Sequence, residues 1–494
     1  MNTPDSRARR GSLLALTVSL ILLSGCTVGP DYRGAPQVSA GHDNAFVRAP
    51  SAGLSTTPAP SQWWKTLNDP QLDALIDAAL ANNQNLKAAQ ARLRQSREQL
   101  QQQRTKALPS LSVDAAAVRV REPDTSLLSS SSGNDSTQNG QSSGSSGGHG
   151  RGPLQLYTAG FDASWELDLF GGTRRATESA SAQAEAVEAD LADTQVQLAA
   201  EVAQAYIDLR DQQQRLVLAH QSTELAQKTL ALVQQRRERG TASDADVERQ
   251  NTQVENTRAT LIPLDEQITE SMDQLAVLTG QAPGALDREL SAPASLPAMP
   301  ATVAVDDPAT MLRQRPDIRA AERRLASGNA QIGQHTADLF PKVTLMGYLG
   351  STGINPRDLA KKSAVTWLGV PYLQWNVFDF GRVRSSIRQA EAGRDELAAQ
   401  YTQTVLAALQ DANNALSRYG HQRESVTRLT QIETSANRSE NLMHQRYSAG
   451  ASSLIDLMDA QRTQFSAQQN RIEGQASLLK DFVSLQKSLG LGWQ

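Results

Sequence analysis

The sequence predicts a mainly α-helical chain with a small amount of membrane-type β-structure, built as one unit present twice. Three observations carry this reading. Two stretches of about 68 residues read as uninterrupted helix, Gly172 to Arg239 and Arg382 to Ala449. Motifs recur in the same order at a fixed offset. Each copy also holds two strand-like segments ahead of its long helix. Only 4% of the 494 residues are aromatic and 39% are hydrophobic. The mean hydropathy is −0.44. Such a composition is unlike an enzyme core and fits long helices with small, polar seams.

The repeat is read by laying the halves together. Trp165-Glu-Leu-Asp-Leu-Phe170-Gly171 faces Trp375-Asn-Val-Phe-Asp-Phe380-Gly381 at an offset of 210. Glu201 to Ala205 faces Asp411 to Ala415, Arg236…Gly240 faces Arg446…Gly450, and Gly280 faces Gly490, all at 210. Upstream, Leu108-Pro109 faces Phe340-Pro341 and Asn85-Leu86 faces Asp317-Ile318 at 232. A Ser/Gly-rich insertion, Ser126 to Gly152, explains the change of offset.

Each unit starts with a helix that ends before a proline, Pro70 to Leu108 and Asp307 to Phe340. Two alternating segments follow: Leu111 to Val120 with Tyr157 to Asp168, then Val343 to Leu349 with Val365 to Phe378. Trp165 and Trp375 stand where each second strand meets its long helix, a place for an interfacial aromatic or for a packed one. A glycine, Gly240 or Gly450, ends each long helix. A returning helix closes at Gly280 or Gly490. At 1.5 Å per residue a long helix spans roughly 100 Å, so it must lie along a bundle, coiled coil or tube. Its seam (Leu191, Thr194, Leu198, Val202, Ala205, Leu209, Gln212, Leu216) runs at spacings of four and three. A dimeric rod is the bland reading, and the four strands count against it.

The N-terminus has a basic start (Arg7, Arg9, Arg10), a short apolar core from Leu13 to Leu23, and then Leu23-Ser24-Gly25-Cys26. Small residues after such a core mark a secretory signal. This ending resembles the lipobox of bacterial lipoproteins, in which the cysteine, here Cys26, is lipidated. The competing reading is a retained signal anchor. By the rule of that class, Thr27 implies sorting to the outer membrane. Several acyl chains anchor stably, since each buried CH₂ contributes about 0.8 kcal/mol. Cys26 is the only cysteine, so no disulfide forms within the chain. Loss of residues 1–25 removes three arginines and one aspartate and takes the formal charge from −4 to −6. No basic patch suits nucleic acid.

No run approaches the ~20 apolar residues of a membrane-spanning helix, so a membrane role falls to strands or a lipid anchor. Strands in lipid must close into a barrel. Four cannot, since known barrels begin at about eight. Two copies supply eight strands and three supply twelve. A barrel of eight fills with its own side chains, while twelve leaves room for a passage. These arguments permit a trimer without requiring it.

Six stretches carry a family resemblance: Cys26-Thr-Val-Gly-Pro-Asp-Tyr32, Trp63-Trp64, Asp69-Pro-Gln-Leu72, Arg315-Pro-Asp317, Arg446-Tyr-Ser-Ala-Gly450 and Leu457-Met-Asp-Ala-Gln-Arg462. Together they resemble the outer membrane factors of the NodT/OprM lipoprotein branch, related to TolC, over the whole mature chain. The resemblance implies a homotrimer with a twelve-stranded β-barrel in the outer membrane. A long α-helical barrel extends through the periplasm, with an equatorial belt formed by the N-terminal, middle and C-terminal segments. The expected organisation is a lipoprotein signal peptide at 1–25 and a lipid-anchored N-terminal segment at 26–69. A first repeat occupies 70–280, with the loop 126–152 facing outside. A Pro/Ala-rich linker at 281–306 and a second repeat at 307–494 complete it.

The helical tips are then the periplasmic end, where such proteins meet the hairpins of a periplasmic adaptor (membrane fusion) protein. The contact residues are Arg239, Gly240, Thr241 and Ser243 in one tip and Ala449, Gly450, Ala451 and Ser453 in the other. Asp456 and Asp459 share a helix face by their spacing, and the family match puts them at the narrow aperture beside Ile455. Six carboxylates in a trimer repel, raise one another's pKa and favour cations. Arg462 is expected to pair with an acid of the first tip, Asp244, Asp246 or Glu248. The second copy has Leu454 and Asp456 where the first has Asp244 and Asp246, so the tips are not equivalent.

None of the six histidines (His42, His149, His220, His335, His421, His444) has zinc-ligand spacing or a nucleophile partner. Gly171-Gly172 lacks the lysine of a phosphate cradle. The sequence therefore predicts no enzyme, and no cofactor or metal beyond the covalent lipid on Cys26. The expected role is a passive exit duct for drugs or small molecules, fed by a proton-driven inner-membrane pump of the RND type through the adaptor. Two alternatives stand beside it: a duct for type I protein secretion, and a non-channel periplasmic helical scaffold.

Overall fold

The computed structural model describes residues 27–38, 46–49, 53–55, 59–120 and 154–493. The signal segment, Cys26 and the loop 126–152 lie outside these residues. By its internal contacts the chain divides into two compact units that cut across the two repeats. One comprises Met1–Tyr32, Gln99–Ala180 and Gly328–Ala392, and the other Arg33–Glu98, Ser181–Ser327 and Gly393–Gln494.

The first unit holds one antiparallel sheet in chain order: β1 (Ser110–Val120), β2 (Leu154–Leu167), β3 (Lys342–Gly353) and β4 (Val365–Gln374). The strands have 11, 14, 12 and 10 residues, enough for tilted strands to cross a bilayer. Ser110 pairs with Ser164 in the first hairpin and Lys342 with Gln374 in the second. The offsets of 210 and 232 carry one pair onto the other, so both repeats share one register.

Alternation makes the sheet two-faced. Val113, Phe161, Leu349 and Trp367 lie directly opposite one another across all four strands. The next row, on the other face, is Ser112, Asp162, Tyr348 and Leu368, and a further row there is Asp114, Gly160, Gly350 and Thr366. The apolar face is open: Val113 is 73% and Trp367 78% exposed. Among the described residues β1 and β4 each keep one unpaired edge.

Trp165 and Trp375 are packed neither in a core nor idly. Each indole N–H donates to the carbonyl just before the pre-strand proline turn, Trp165 to Ala107 at 2.9 Å and Trp375 to Leu339 at 3.0 Å. The two bonds are repeat equivalents.

Among the described residues the α-helices of seven or more residues are α1 (Pro70–Asn82), α2 (Gln84–Thr105), α3 (Gly172–Glu238), α4 (Asp244–Ala259), α5 (Leu261–Leu278), α6 (Pro308–Gln314), α7 (Pro316–Ala337), α8 (Arg382–Ser448) and α9 (Leu454–Ser488). The two long ones, α3 and α8, have 67 residues each. No helix of the described residues is long and apolar enough to cross a membrane.

The first helix of each repeat was expected to be unbroken and is not. Arg315, ahead of Pro316, is extended at φ −68° and ψ 120°, because proline disfavours the helical region in its predecessor. In the first repeat Asn83 makes the same break without a proline. Its Oδ1 accepts from the Leu86 amide at 3.1 Å and restarts the helix. Both break residues then reach the end of their own returning helix. Asn83 Nδ2 donates to Leu278 O at 2.9 Å and Arg315 Nη1 to Ser488 O at 2.6 Å. The return to Gly280 is also interrupted, at Thr260. Pro263 has no N–H for the carbonyl of Ala259 and clashes with it.

The second unit has the large core. Trp63 packs edge-on against Trp64 at 5.7 Å and against Phe482 at 5.9 Å. Leu72, Ile76, Tyr206, Leu275 and Leu416 are buried in the same cluster. Arg210, 1% exposed, ties the linker to this core by donating to Gln71, to Gln213 Oε1 at 2.6 Å and to Ala292 O at 3.2 Å. Leu54–Ser55 forms a short parallel bridge with Val303–Ala304, so the N-terminal segment and the linker meet here.

Candidate aperture and helical tips

The two helical tips are built alike. At the end of α3, Gly240 turns with φ 72°, its amide donating to Arg237 O at 2.8 Å, and the Thr241 amide donates to Arg236 O at 2.8 Å. At the end of α8, Gly450 has φ 74°, with bonds to Tyr447 O at 3.0 Å and from Ala451 to Arg446 O at 2.8 Å. This is the paired C-cap that satisfies the last carbonyls of a helix, and glycine suits its left-handed residue. Three residues beyond each glycine the next helix opens on a reciprocal cap. Ser243 Oγ accepts from the Asp246 amide at 3.2 Å while Asp246 Oδ2 accepts from the Ser243 amide at 3.0 Å. Ser453 and Asp456 repeat both bonds at 3.2 and 3.0 Å. All eight named tip residues, Arg239, Gly240, Thr241, Ser243, Ala449, Gly450, Ala451 and Ser453, are exposed.

The capping geometry changes how the acids are read. The Ser453 hydroxyl and amide hold the Asp456 carboxyl below its ordinary range. The Ser243 amide and hydroxyl do the same for Asp246. Within the chain this opposes the upward push expected of a carboxylate ring. Asp246 and Asp456 also share one role, so the tips differ at Asp244 and Leu454 but not there. Ile455, Asp456 and Asp459 are all exposed at the start of α9, with Ile455 at 50%.

Arg462 does not reach the first tip. It pairs with Asp459 in its own helix, i to i+3. The acids of the first tip are already engaged. Asp244 meets Arg237 at 2.5 Å, Asp246 meets Arg249 at 3.2 Å, and Glu248 accepts from Asn251 at 3.4 Å. A pair three residues apart needs no ordering of a second element, and it wins here.

What joins the tips is a contact that sequence reasoning did not find. The Arg236 guanidinium lies 4.1 Å over the Tyr447 ring, and its Nη2 donates to Tyr447 O at 3.0 Å. Cation–π and hydrogen bond act together on one side chain. Beneath it Val233, Tyr447, Leu454 and Leu457 form a small buried cluster. The available signal was an asymmetry in the repeat, where Tyr447 stands opposite Arg237. Among the described residues no group of three or more His, Cys, Asp or Glu is placed to hold a metal.

The sequence profile described as Outer membrane efflux protein matches residues 75–281 and 308–491. The chain belongs to the outer membrane efflux protein family. It is similar to the antibiotic efflux pump outer membrane protein ArpC of Pseudomonas putida, 30% identical over 486 residues, covering 98% of this chain and 96% of that one. The pyoverdine export outer membrane protein OpmQ of Pseudomonas aeruginosa is 32% identical, covering 97% of each. Among solved structures the outer-membrane channel OprN superposes with a TM-score of 0.83 at 34% identity, covering 95% of this chain and all of that one (100%). As a member of this family the chain is an efflux channel of the outer membrane. The four-stranded sheet and the long helices are its membrane-type and helical parts.

Proposed function

We propose that the chain is the lipid-anchored exit duct of a tripartite efflux system, acting passively as a homotrimer and not as an enzyme. The observation that carries this is the sheet. It has one apolar face, an opposite face that mixes Ser112, Asp114, Asp162 and Thr366 with apolar residues, strands of membrane length and, among the described residues, an unpaired edge at each end. Lipid leaves an open edge no partner, so β4 of one copy closes on β1 of the next. Three copies give twelve strands and a wet interior. The lipid sits on Cys26. The tips around Gly240 and Gly450 receive a periplasmic adaptor, and a proton-driven inner-membrane pump of the RND type supplies the energy. The names of ArpC and OpmQ, an antibiotic efflux pump protein and a pyoverdine export protein, favour small molecules over a secreted protein. The repeats at 70–280 and 307–494 are each one half of the duct wall within a protomer.

Asp456 and Asp459, with Ile455 and the Asp459-bound Arg462, line the aperture. Close to an axis, rings of carboxylate favour cations over anions. The test is single-channel current from the purified, acylated protein in a planar bilayer, beside the double variant Asp456→Ala/Asp459→Ala. Small cation-preferring openings that lose preference in the variant support both duct and aperture. An unaltered channel removes the aperture and keeps the duct. Silence from a properly assembled trimer in both forms sinks the duct and returns the helical scaffold.

A further inference from the structure

Within the first unit, residues 27–31 are gathered around a buried cation, Arg175. The Arg175 side chain is 4% exposed. Its Nε donates to Val28 O at 3.2 Å and its Nη2 to Gly29 O at 3.3 Å and Asp31 Oδ1 at 2.6 Å, while Nη1 holds Glu178 at 2.8 Å. Asn329 Nδ2 donates to Pro30 O at 2.9 Å, and the Val28 amide donates to Phe170 O at 3.2 Å. Backbones meet here without side chains between them: a Cβ on Gly29 would stand 2.3 Å from Gly333 Cα.

The repeat offers an internal control. The second junction has the same turn, with Gly381 at φ 83° against Gly171 at 81°. Position 175 there is Ser385, and positions 329 and 333 correspond to Arg97 and Gln101. A Cβ on Gly171 would come within 2.8 Å of Thr27, whereas one on Gly381 meets nothing within 4 Å. A shared fold therefore does not call for these residues. They are present only where the N-terminal segment docks.

We propose that Arg175, Asn329 and the Gly333 backbone form a dedicated seat for residues 27–31, fixing the chain's N-terminal attachment point beside the sheet-to-helix junction of the first repeat. Thr27 directly follows Cys26 in the sequence. The reading of Cys26 as acylated enters only in what the seat positions: with it, the seat sets where the acyl chains meet the strands. Arg175 is a positioning residue, and its five N–H donors suit two carbonyls and two carboxylates at once.

The test is hydrogen exchange on the full-length trimer in detergent, read in peptides spanning residues 27–32. Arg175→Met keeps the stem and removes the donors. Exchange at Val28 is expected to rise about ten- to a hundredfold, with β2 and β3 unchanged. Arg174→Met is the control, because Arg174 binds Asp168 at 3.2 Å instead, and it should leave the segment as it is. Wild-type exchange in folded Arg175→Met, or equal loosening of the strands, overturns the seat. Should that variant fail to fold, Asp31→Ala decides, since Asp31 is 80% exposed. A smaller rise confined to the segment supports the seat and no rise overturns it. Palmitate labelling is scored separately. An unlabelled protein with the expected exchange loses the lipid and keeps the seat, and a labelled one with unchanged exchange does the reverse.

Discussion

Asp456 has two jobs that draw on the same charge. Its carboxylate closes the cap on α9 through Ser453, and its position exposes it where the second tip turns. The cap requires the ionised form. Because its folded pKa lies below the ordinary value of 3.8, it contributes stability that is present above that value and lost as pH falls through the depressed one. Asp246 behaves alike at the first tip. Both tips are therefore expected to loosen together below about pH 4, seen as faster exchange in their first turns after correction for intrinsic rates. Ser453→Ala should bring Asp456 back towards 3.8 and loosen only the second tip. An unaltered Asp456 titration in that variant would show that the serine does not set it. At the same scale, Arg236→Met removes the cation over Tyr447. The expected result is faster exchange at the ends of both α3 and α8, with the rest of the long helices unaffected. Loosening of α3 alone would show that the tips are not joined through this residue.

Elements repeat more faithfully than residues do. The break in the first helix of each repeat is made by Asn83 in one and by Arg315 ahead of Pro316 in the other, yet both side chains end on the matching carbonyl of the returning helix. Arg315 carries charge, is held by Asp317 at 2.7 Å, and its side chain is 11% exposed. Replacing it with alanine is expected to cost about 2 kcal/mol, against about 1 kcal/mol for the neutral Asn83→Ala. Denaturant midpoints at constant slope test the order, and an equal loss in both would show that charge is irrelevant to the clasp. The breaks were not legible beforehand. Pro316 was visible, but a helix may carry a proline in its first turn, and nothing marked Asn83 apart from other asparagines. The strands were legible to within a few residues because alternation survives burial on one face only.

At the scale of the molecule the sheet is unfinished. The β2–β3 register, Trp165 opposite Leu345, predicts how copies join, because β4 and β1 are the repeat equivalents of β2 and β3. Moving each strand by its offset places Tyr372 opposite Ala116 and Leu373 opposite Ala115 of the next copy. The same shift keeps the apolar faces continuous, which a slip of one residue would not. Ala116→Cys with Tyr372→Cys should therefore cross-link copies under mild oxidation. Ala116→Cys with Val370→Cys, displaced by two, should not, since diagonal neighbours stand about 7–8 Å apart and a disulfide needs Cβ atoms within about 4.5 Å. Cys26 is the only native cysteine, so the readout is clean. Cross-linking of the displaced pair alone would overturn the register.

The division of labour follows from the range of the forces. The sequence by itself determined the duplication, the two long helices, the four strands and the turns at Gly240 and Gly450, because periodicity, glycine at positive φ and proline act within a few residues of chain. It could not determine which charge meets which. Arg462 was expected across the tips and pairs at i+3, while Arg236 crosses to Tyr447 211 residues away. Arg175, unremarkable in sequence, is buried by a segment about 145 residues upstream. Long-range partners are chosen by competition among every charge that folding brings within reach, and only the tertiary structure decides that competition.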